Sequence, residues 1–249
     1  MHKILLIALV GFSTACGTHL TTPTATTPAD SITPTQANSG SPTVMMVESP
    51  TPTFTPMQTP VPMYFTEGFE SDLRAWVTFQ TGGATLPIPE IENGHLRLDI
   101  NSSNVWFYAI HDIHEYPDVH VSAKVAATPS GALGLICRYG ENGWFEYNIS
   151  SDGKYSVLFA QWLGEGIAQY SPIRTDESEY LQPGELAYEI GLTCQGNHLL
   201  LHVNGKLFRK LDVSRYALTS GRIGLSFASF EEVPMIAAVD WVKVNFPTQ

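Results

Sequence analysis

Short runs of alternating apolar and polar residues, separated by turn-forming residues, dominate the chain from His95 to Phe246. Runs of this length and period are typical of half-buried strands, whereas helices repeat every 3.6 residues. The runs are "HLRLDI", "DVHVSAKVA", "ALGLICRY", "WFEYNI", "KYSVLFAQ", "LAYEIGLTC", "HLLLHV", "KLFRKLDV", "RIGLSFAS" and "AAVDWVKVNF". The pattern predicts an all-β domain.

The connections between these runs favour hairpins. "SSDG" precedes Lys154, "QGN" precedes His198, and Asn204-Gly205 separates two further runs. Such sequences close tight antiparallel turns. About a dozen short strands at this spacing indicate a two-sheet antiparallel sandwich. The segment "DVSRYAL" predicts a single helical turn.

The N-terminus has the features of an export signal. The apolar run Ile4–Val10 follows the basic Lys3 and is much shorter than the ~20 residues of a membrane helix. The small residues before Cys16 resemble a bacterial lipoprotein signal, although Ser13 stands where that family more often has leucine. The resemblance implies removal of residues 1–15, acylation of Cys16 and a lipid anchor at the bacterial cell surface. The alternative is ordinary signal cleavage that leaves Cys16 as a free thiol.

Residues 16–63 are rich in Thr, Pro, Ser and Ala, as in "ESPTPTFTPMQTPVP". Such a segment buries too little apolar surface to offset the entropy of ordering, so we expect a disordered tether. The folded domain is then 64–249. The net charge of −11 argues against a nucleic-acid partner, which needs a basic face.

Four segments of the domain carry a family resemblance: "TEGFESDLRAWV", "GLICRYGENGWFEYNISSDGKYSVL", "LTCQGNHLLLHVNGKLF" and "SGRIGLSFASFEEVPMIAAVDWVKV". They resemble the concanavalin A-like, laminin-G-like jelly-roll domains of secreted and lipid-anchored bacterial proteins. Within that superfamily they are similar to the 3-keto-disaccharide hydrolase-type domain. The resemblance implies a jelly-roll sandwich and leaves the activity open, because this fold hosts lectins, glycanases and adhesive modules.

Two cysteines occupy matching places in strand-like runs, Cys137 in "GLICRY" and Cys194 in "GLTCQG". In an exported domain, cysteines at core-facing strand positions are disulfide candidates. The alternative is a pair of buried free thiols.

Strand parity suggests a ligand-binding face. In "WFEYNI", Trp144, Glu146 and Asn148 alternate with three apolar residues and so share the opposite face. We expect Trp144 to be exposed and to stack on a sugar, with Arg138 joining this face and Trp162 at its rim. The alternative is that the tryptophans cap a hydrophobic edge and Arg138 pairs with Glu146.

The sequence lacks the usual hydrolase motifs. A glycosidase needs two carboxylates roughly 5–9.5 Å apart, and no Glu-x-Asp-x-x-Glu type strand motif occurs. The cluster "HDIHEYPDVH", with His111, His114 and His120, is a weaker metal-site alternative whose spacing matches no known family.

Carbohydrate-binding jelly rolls often hold a structural calcium between the first and last strands. Here that resemblance implies Glu70 and Asp240 as ligands, since calcium prefers carboxylate and carbonyl oxygens. The alternative is that both residues are ordinary surface acids.

Together these features predict a lipid-anchored, monomeric surface protein whose sandwich binds a carbohydrate or cell-surface polymer without catalysis. One alternative is a glycan or disaccharide hydrolase of the 3-keto-disaccharide hydrolase type. Another is a structural or protein-binding module.

The calcium prediction has a direct test. A calcium ion bound only by the folded state raises the melting temperature, so EDTA should lower it and added calcium should restore it. An EDTA-independent melting temperature, measured by scanning calorimetry, would count against calcium.

Overall fold

The computed structural model describes residues 62–128, 131–164, 166–184 and 186–248. The signal segment, Cys16 and nearly all of the expected tether lie outside the described residues, and these predictions stay untested. Within the described ranges, no helix is long and apolar enough to cross a membrane.

The described residues form fifteen strands and one 3₁₀ turn, Ser214–Tyr216. In chain order the strands are β1 (Phe65–Glu67), β2 (Trp76–Thr81), β3 (Glu90–Glu92), β4 (His95–Ile100), β5 (Val105–His111), β6 (Val119–Ala127), β7 (Gly131–Gly140), β8 (Gly143–Ser150), β9 (Lys154–Gly164), β10 (Ile167–Glu177), β11 (Ala187–Gln195), β12 (His198–Val203), β13 (Lys206–Asp212), β14 (Arg222–Ser229) and β15 (Met235–Asn245).

The strands build two sheets in which every neighbouring pair of strands is antiparallel. The eight-stranded sheet has the order β13-β12-β11-β6-β15-β4-β3, with β1 also paired to β15. The seven-stranded sheet has the order β10-β9-β8-β7-β14-β5-β2. The two-sheet sandwich confirms the predicted fold class.

All ten predicted runs are strands, and the predicted helical turn is the 3₁₀ turn. At the β12–β13 hairpin, Asn204 and Gly205 have φ of 48° and 72°, as a type I′ turn requires. The unpredicted strands include β5, whose residues are almost all buried, so that no polar alternation marks it. The short β1 and β3 have too few residues to show a period.

The hydrophobic core lies between the sheets and follows strand parity. Phe145, Tyr147 and Ile149 of β8 are fully buried there, opposite Leu192 and Leu201 of the eight-stranded sheet. Burial of this kind contributes roughly 25 cal/mol per Å² of apolar surface removed from water.

A disulfide crosses the core. Cys137 of β7 is bonded to Cys194 of β11, so the bond joins the two sheets, and its Cα atoms are 6.6 Å apart. The bond confirms the prediction made for these cysteines. It closes a loop with a sequence separation of 57 residues, for which the chain-entropy model gives a stabilisation of about 4 kcal/mol.

Replacing both cysteines by alanine should therefore lower the free energy of unfolding by about 4 kcal/mol, because the unfolded chain gains freedom. Urea denaturation of the oxidised wild type and the double variant measures the difference. Equal stabilities, or two alkylatable thiols at these positions in the unreduced protein, would contradict the bridge.

Candidate functional site

The seven-stranded sheet curls until its two edge strands meet above its outer face. β2 and β10 are the opposite edges of this sheet, yet the hydroxyls of Thr81 and Tyr170 are 2.8 Å apart. The rings of Trp106 on β5 and Tyr170 on β10 are also stacked, with centroids 6.2 Å apart. The outer face of this sheet is therefore a concave surface largely filled by its own side chains.

Trp144 lies at the centre of the side chains that fill the concave face. Its ring centroid is 4.9 Å from Trp162, 5.5 Å from Tyr139, 5.7 Å from Tyr108 and 6.2 Å from Phe79. The predicted face is correct, but the predicted exposure is wrong, since Trp144 is 0% exposed. The curl of the sheet, which brings distant strands together, explains the difference.

Among the partly exposed rings around Trp144, those of Phe79, Tyr139 and Trp162 contact one another. We call them the aromatic platform. Phe79 is 5.4 Å from Trp162 and 5.7 Å from Tyr139, and Tyr139 is 6.4 Å from Trp162. Trp162 lies near the end of β9, and the platform rests on the buried indole of Trp144.

Beneath these rings lies a buried polar cluster around Glu146. Its Oε1 accepts a hydrogen bond from Asn148 Nδ2 at 2.8 Å, and its Oε2 accepts one from Trp144 Nε1 at 3.3 Å. Asn148 Oδ1 in turn accepts a bond from the Ser226 hydroxyl at 2.6 Å. Glu146 and Asn148 share a face as predicted, but Glu146 is 1% exposed and does not reach solvent.

The cluster continues through tyrosine hydroxyls to the sheet edge. The Tyr108 hydroxyl is 3.4 Å from Glu146 Oε2 and 2.9 Å from the Tyr170 hydroxyl. Tyr170 contacts Thr81, as described above. A continuous hydrogen-bonded chain therefore runs from β14 to both edges of the sheet, and it stabilises the curl that forms the platform.

Burial raises the pKa of the Glu146 carboxyl, although hydrogen bonds from Asn148 and Trp144 act in the opposite direction. Glu146 is the only buried carboxyl among the described residues. A two-carboxylate glycosidase mechanism has no second acid in this cluster to use. In this arrangement Glu146 organises the floor of the platform.

Arg138 does not join the concave face. The β7–β8 register shifts between Cys137 and Gly140, and Arg138 has a φ of 55°, so a bulge interrupts the strand parity. Its guanidinium is 2% exposed and donates to the carbonyl oxygens of Leu218, Pro117 and Gly196. Neither the predicted binding role nor the alternative pairing with Glu146 fits these contacts. Arg138 instead holds three loops together.

The bulge moves Tyr139 onto the concave face in place of Arg138. Tyr139 pairs with Arg222 of β14, and Arg222 forms an ion pair with Asp112. Burial raises the pKa of Tyr139, while the positive charge of Arg222 acts to lower it. The platform therefore has polar, hydrogen-bonding groups at one margin. Phe79 and Tyr139 were not predicted, although the alternation in "WVTFQT" places Phe79 on one face with Thr81.

The residues considered for metal binding are dispersed. Among the described residues, no group of three or more His, Cys, Asp or Glu is placed to hold a metal ion. Asp240 accepts a hydrogen bond from Lys124 Nζ at 2.7 Å and lies 3.5 Å from His95, and Glu70 is exposed. Lys124 and His95 therefore already contact the Asp240 carboxylate, and these contacts do not favour a calcium ion. Calcium binding stays a prediction.

Comparison with solved structures supports the concanavalin A-like jelly-roll fold. A Bacillus subtilis protein of unknown function with a galectin-like fold has a TM-score of 0.57 at 12% identity, covering 74% of this chain and 98% of its own. A Bacteroides ovatus GH16 protein from a mixed-linkage glucan locus, solved with a G4G4G3G product, has a TM-score of 0.53 at 9% identity, covering 73% and 99%. A structure described among endo-acting O-glycanases of the human gut microbiota has a TM-score of 0.53 at 11% identity, covering 74% and 99%.

No family model matches the chain, and no curated protein sequence is similar to it. At these identities, the structural similarities establish the fold and leave the function to be argued from the site.

The burial of the Glu146 carboxyl predicts that the stability of the folded domain depends on pH. The Glu146 pKa lies above its ordinary value of 4.5, so the folded state holds the proton more tightly than the unfolded chain. Its contribution to stability is complete below pH 4.5 and is lost as the pH rises through the raised pKa. Relative to wild type, Glu146→Gln should therefore gain stability as the pH rises above 4.5, because glutamine has no proton to lose.

Urea denaturation of both proteins between pH 4.5 and 8 measures this difference. Glu141→Gln, which removes an exposed carboxyl in the β7–β8 turn, controls for the loss of one negative charge. A stability difference between wild type and Glu146→Gln that does not change with pH would show that Glu146 does not titrate as described.

Proposed function

We propose that the sandwich binds carbohydrate at the aromatic platform, without catalysis, and that a lipid anchor at Cys16 and the Thr/Pro tether present it at the cell surface. The observation that carries the proposal is the arrangement of Phe79, Tyr139 and Trp162. These rings are partly exposed, contact one another and rest on buried Trp144.

The chemistry of such a surface matches a sugar. Aromatic rings pack against the apolar C–H face of a pyranose, while adjacent polar groups bind its hydroxyls. The Arg222–Asp112 ion pair beside Tyr139 offers both a donor and an acceptor at the platform margin. Because the rings are already held by Trp144 and by the network beneath them, little side-chain entropy is lost when a sugar stacks on them.

The comparisons support the same class of ligand. The GH16 protein was solved with a glucan product, and the O-glycanase structure is described as acting on mucin. Both share the fold of this chain. Their low identity leaves the particular glycan open.

Trp162→Ala should weaken oligosaccharide binding at least tenfold, about 1.4 kcal/mol, because it removes the largest ring of the platform. Calorimetric titration of the full-length chain in mild detergent with cellotetraose, laminaritetraose, maltotetraose and xylotetraose measures the affinity. Binding that is equal in wild type and Trp162→Ala would contradict a site at the platform.

Tyr180→Ala is the matched control. Tyr180 is also a partly buried ring, packed on Phe208 and near Lys206, and it follows β10 at the end of the sheet remote from Trp162. Its removal should leave the affinity unchanged. An equal loss in both variants would indicate a general loss of folding, which circular dichroism would show independently.

The hydrolase alternative makes a different prediction. An enzyme acting on these oligosaccharides would release new reducing ends, and with Glu146 as its acid that release would disappear in Glu146→Gln. Binding without release supports the proposed function. Release by the wild type would overturn its noncatalytic part, and capture of a specific surface protein without any sugar binding would favour a protein-binding module.

A further inference from the structure

The outer face of the eight-stranded sheet contains a row of hollows on the side of the sandwich opposite the platform. Three neighbouring hollows, of about 420, 250 and 500 Å³, share Glu189 in their lining. The third is also lined by Ser122, Lys243 and Trp241. Its volume is in the range of small-ligand sites.

Small side chains in neighbouring strands create the depression. Ser122 of β6 pairs with Gly191 of β11 on one side and with Lys243 of β15 on the other. Gly191 has no side chain and Ser122 is 5% exposed, so the floor is low across two strands. A Cβ at Gly191 would lie 3.2 Å from His120 Cε1, which shows that the imidazole leans over the glycine.

The walls come from the rows above and below. On one side Lys124 pairs with both Glu189 and Trp241, and on the other His120 pairs with Thr193 and Asn245. Lys124 and His120 are four residues apart on β6, so the two rows are roughly 13 Å apart along the strands and lie on either side of Ser122. His120 Nδ1 is 2.7 Å from the Thr193 hydroxyl, which orients the imidazole at the wall.

Trp241 faces this space because of a bulge. The β15–β6 register shifts between Val239 and Trp241, so Asp240 and Trp241 both turn to the outer face. Trp241 is partly exposed, and in the described part of the chain its ring stacks on no other aromatic side chain. A flat ring face is thereby available at the edge of the hollow.

Two opposite charges in the hollow lack partners. Within the described ranges, no ion pair or side-chain hydrogen bond holds the Glu189 carboxylate or the Lys243 ammonium, whereas neighbouring Lys124 and Asp240 bond to each other. Lys243 and His120 both line the third hollow. Burial lowers the pKa of His120 to about 4, so its ring is neutral at pH 7.

We propose that this hollow, lined by Ser122, Glu189, Trp241 and Lys243, is a second binding site that takes one neutral sugar unit. Sugar hydroxyls donate to carboxylates and accept from ammonium groups, so a neutral sugar carries groups that suit both charges. An anionic or cationic ligand would face one like charge. Trp241 supplies the stacking surface, and the Ser122 hydroxyl lies on the floor.

The second site goes beyond the proposed function and rests on different residues. With the platform on one sheet and the hollow on the other, a single domain could engage two chains of a polymer. Binding both would raise the effective affinity for a surface polymer without any new contact, through effective concentration. The same arrangement lets a tethered domain cross-link neighbouring glycan chains.

Indole N–H signals in NMR spectra report the two sites separately. The full-length chain in mild detergent is titrated with cellotetraose, laminaritetraose, maltotetraose and xylotetraose, and the Trp162 and Trp241 signals are assigned from their alanine variants. The Trp241 signal should shift with at least one sugar, and it should still shift in Trp162→Ala. In Glu189→Gln and Lys243→Ala, the affinity reported by Trp241 should fall at least tenfold.

Lys210→Ala is the matched control for Lys243→Ala, since Lys210 is an exposed lysine on the edge strand β13, and it should leave the Trp241 response unchanged. A Trp162 response with a silent Trp241 signal would overturn the second site and leave the proposed function standing. A Trp241 response alone would support the second site and overturn the platform. Silence of both signals would overturn both.

Discussion

The curl of the seven-stranded sheet decides which residues of its outer face are buried and which are exposed. Because β2 and β10 meet through Thr81 and Tyr170, the concave face closes over its own aromatic residues. Trp144 and Glu146 are buried, and the rings of the platform above them are partly exposed. In a flatter sheet, β2 and β10 would not meet, and Trp144 and Glu146 would be open to solvent.

The two outer faces of the sandwich have different physical characters. The concave face has an apolar surface over a hydrogen-bonded network, in which burial raises the pKa of a single carboxyl. The opposite face is a polar depression, where Ser122 and Gly191 replace the larger side chains of their neighbours. One offers stacking area and the other offers hydrogen bonds, so the sandwich has two kinds of surface with which to contact a hydroxyl-rich polymer.

Bulges account for much of the difference between the predicted and the observed sites. Simple alternation places Arg138 beside Glu146, but the extra residue after Cys137 sends Arg138 to the loops and Tyr139 to the concave face. A second bulge turns Asp240 and Trp241 outward together. The first bulge falls at the end of "ALGLICRY", before Gly140, and the second falls inside "AAVDWVKVNF". Strand parity is therefore reliable between bulges and misleading across them.

The local periodicity of the sequence determined ten of the fifteen strands, the hairpin at Asn204-Gly205, the face shared by Trp144, Glu146 and Asn148, and the core positions of the two cysteines. These properties follow from contacts between near neighbours or from a period of two. Only the tertiary structure decided that Trp144 is buried, that Phe79 and Tyr139 join Trp162, and that Ser122 and Gly191 form a hollow. Each of these depends on how strands distant in sequence pair and on how far the sheets curl, which arises from the summed twist and packing of many strands.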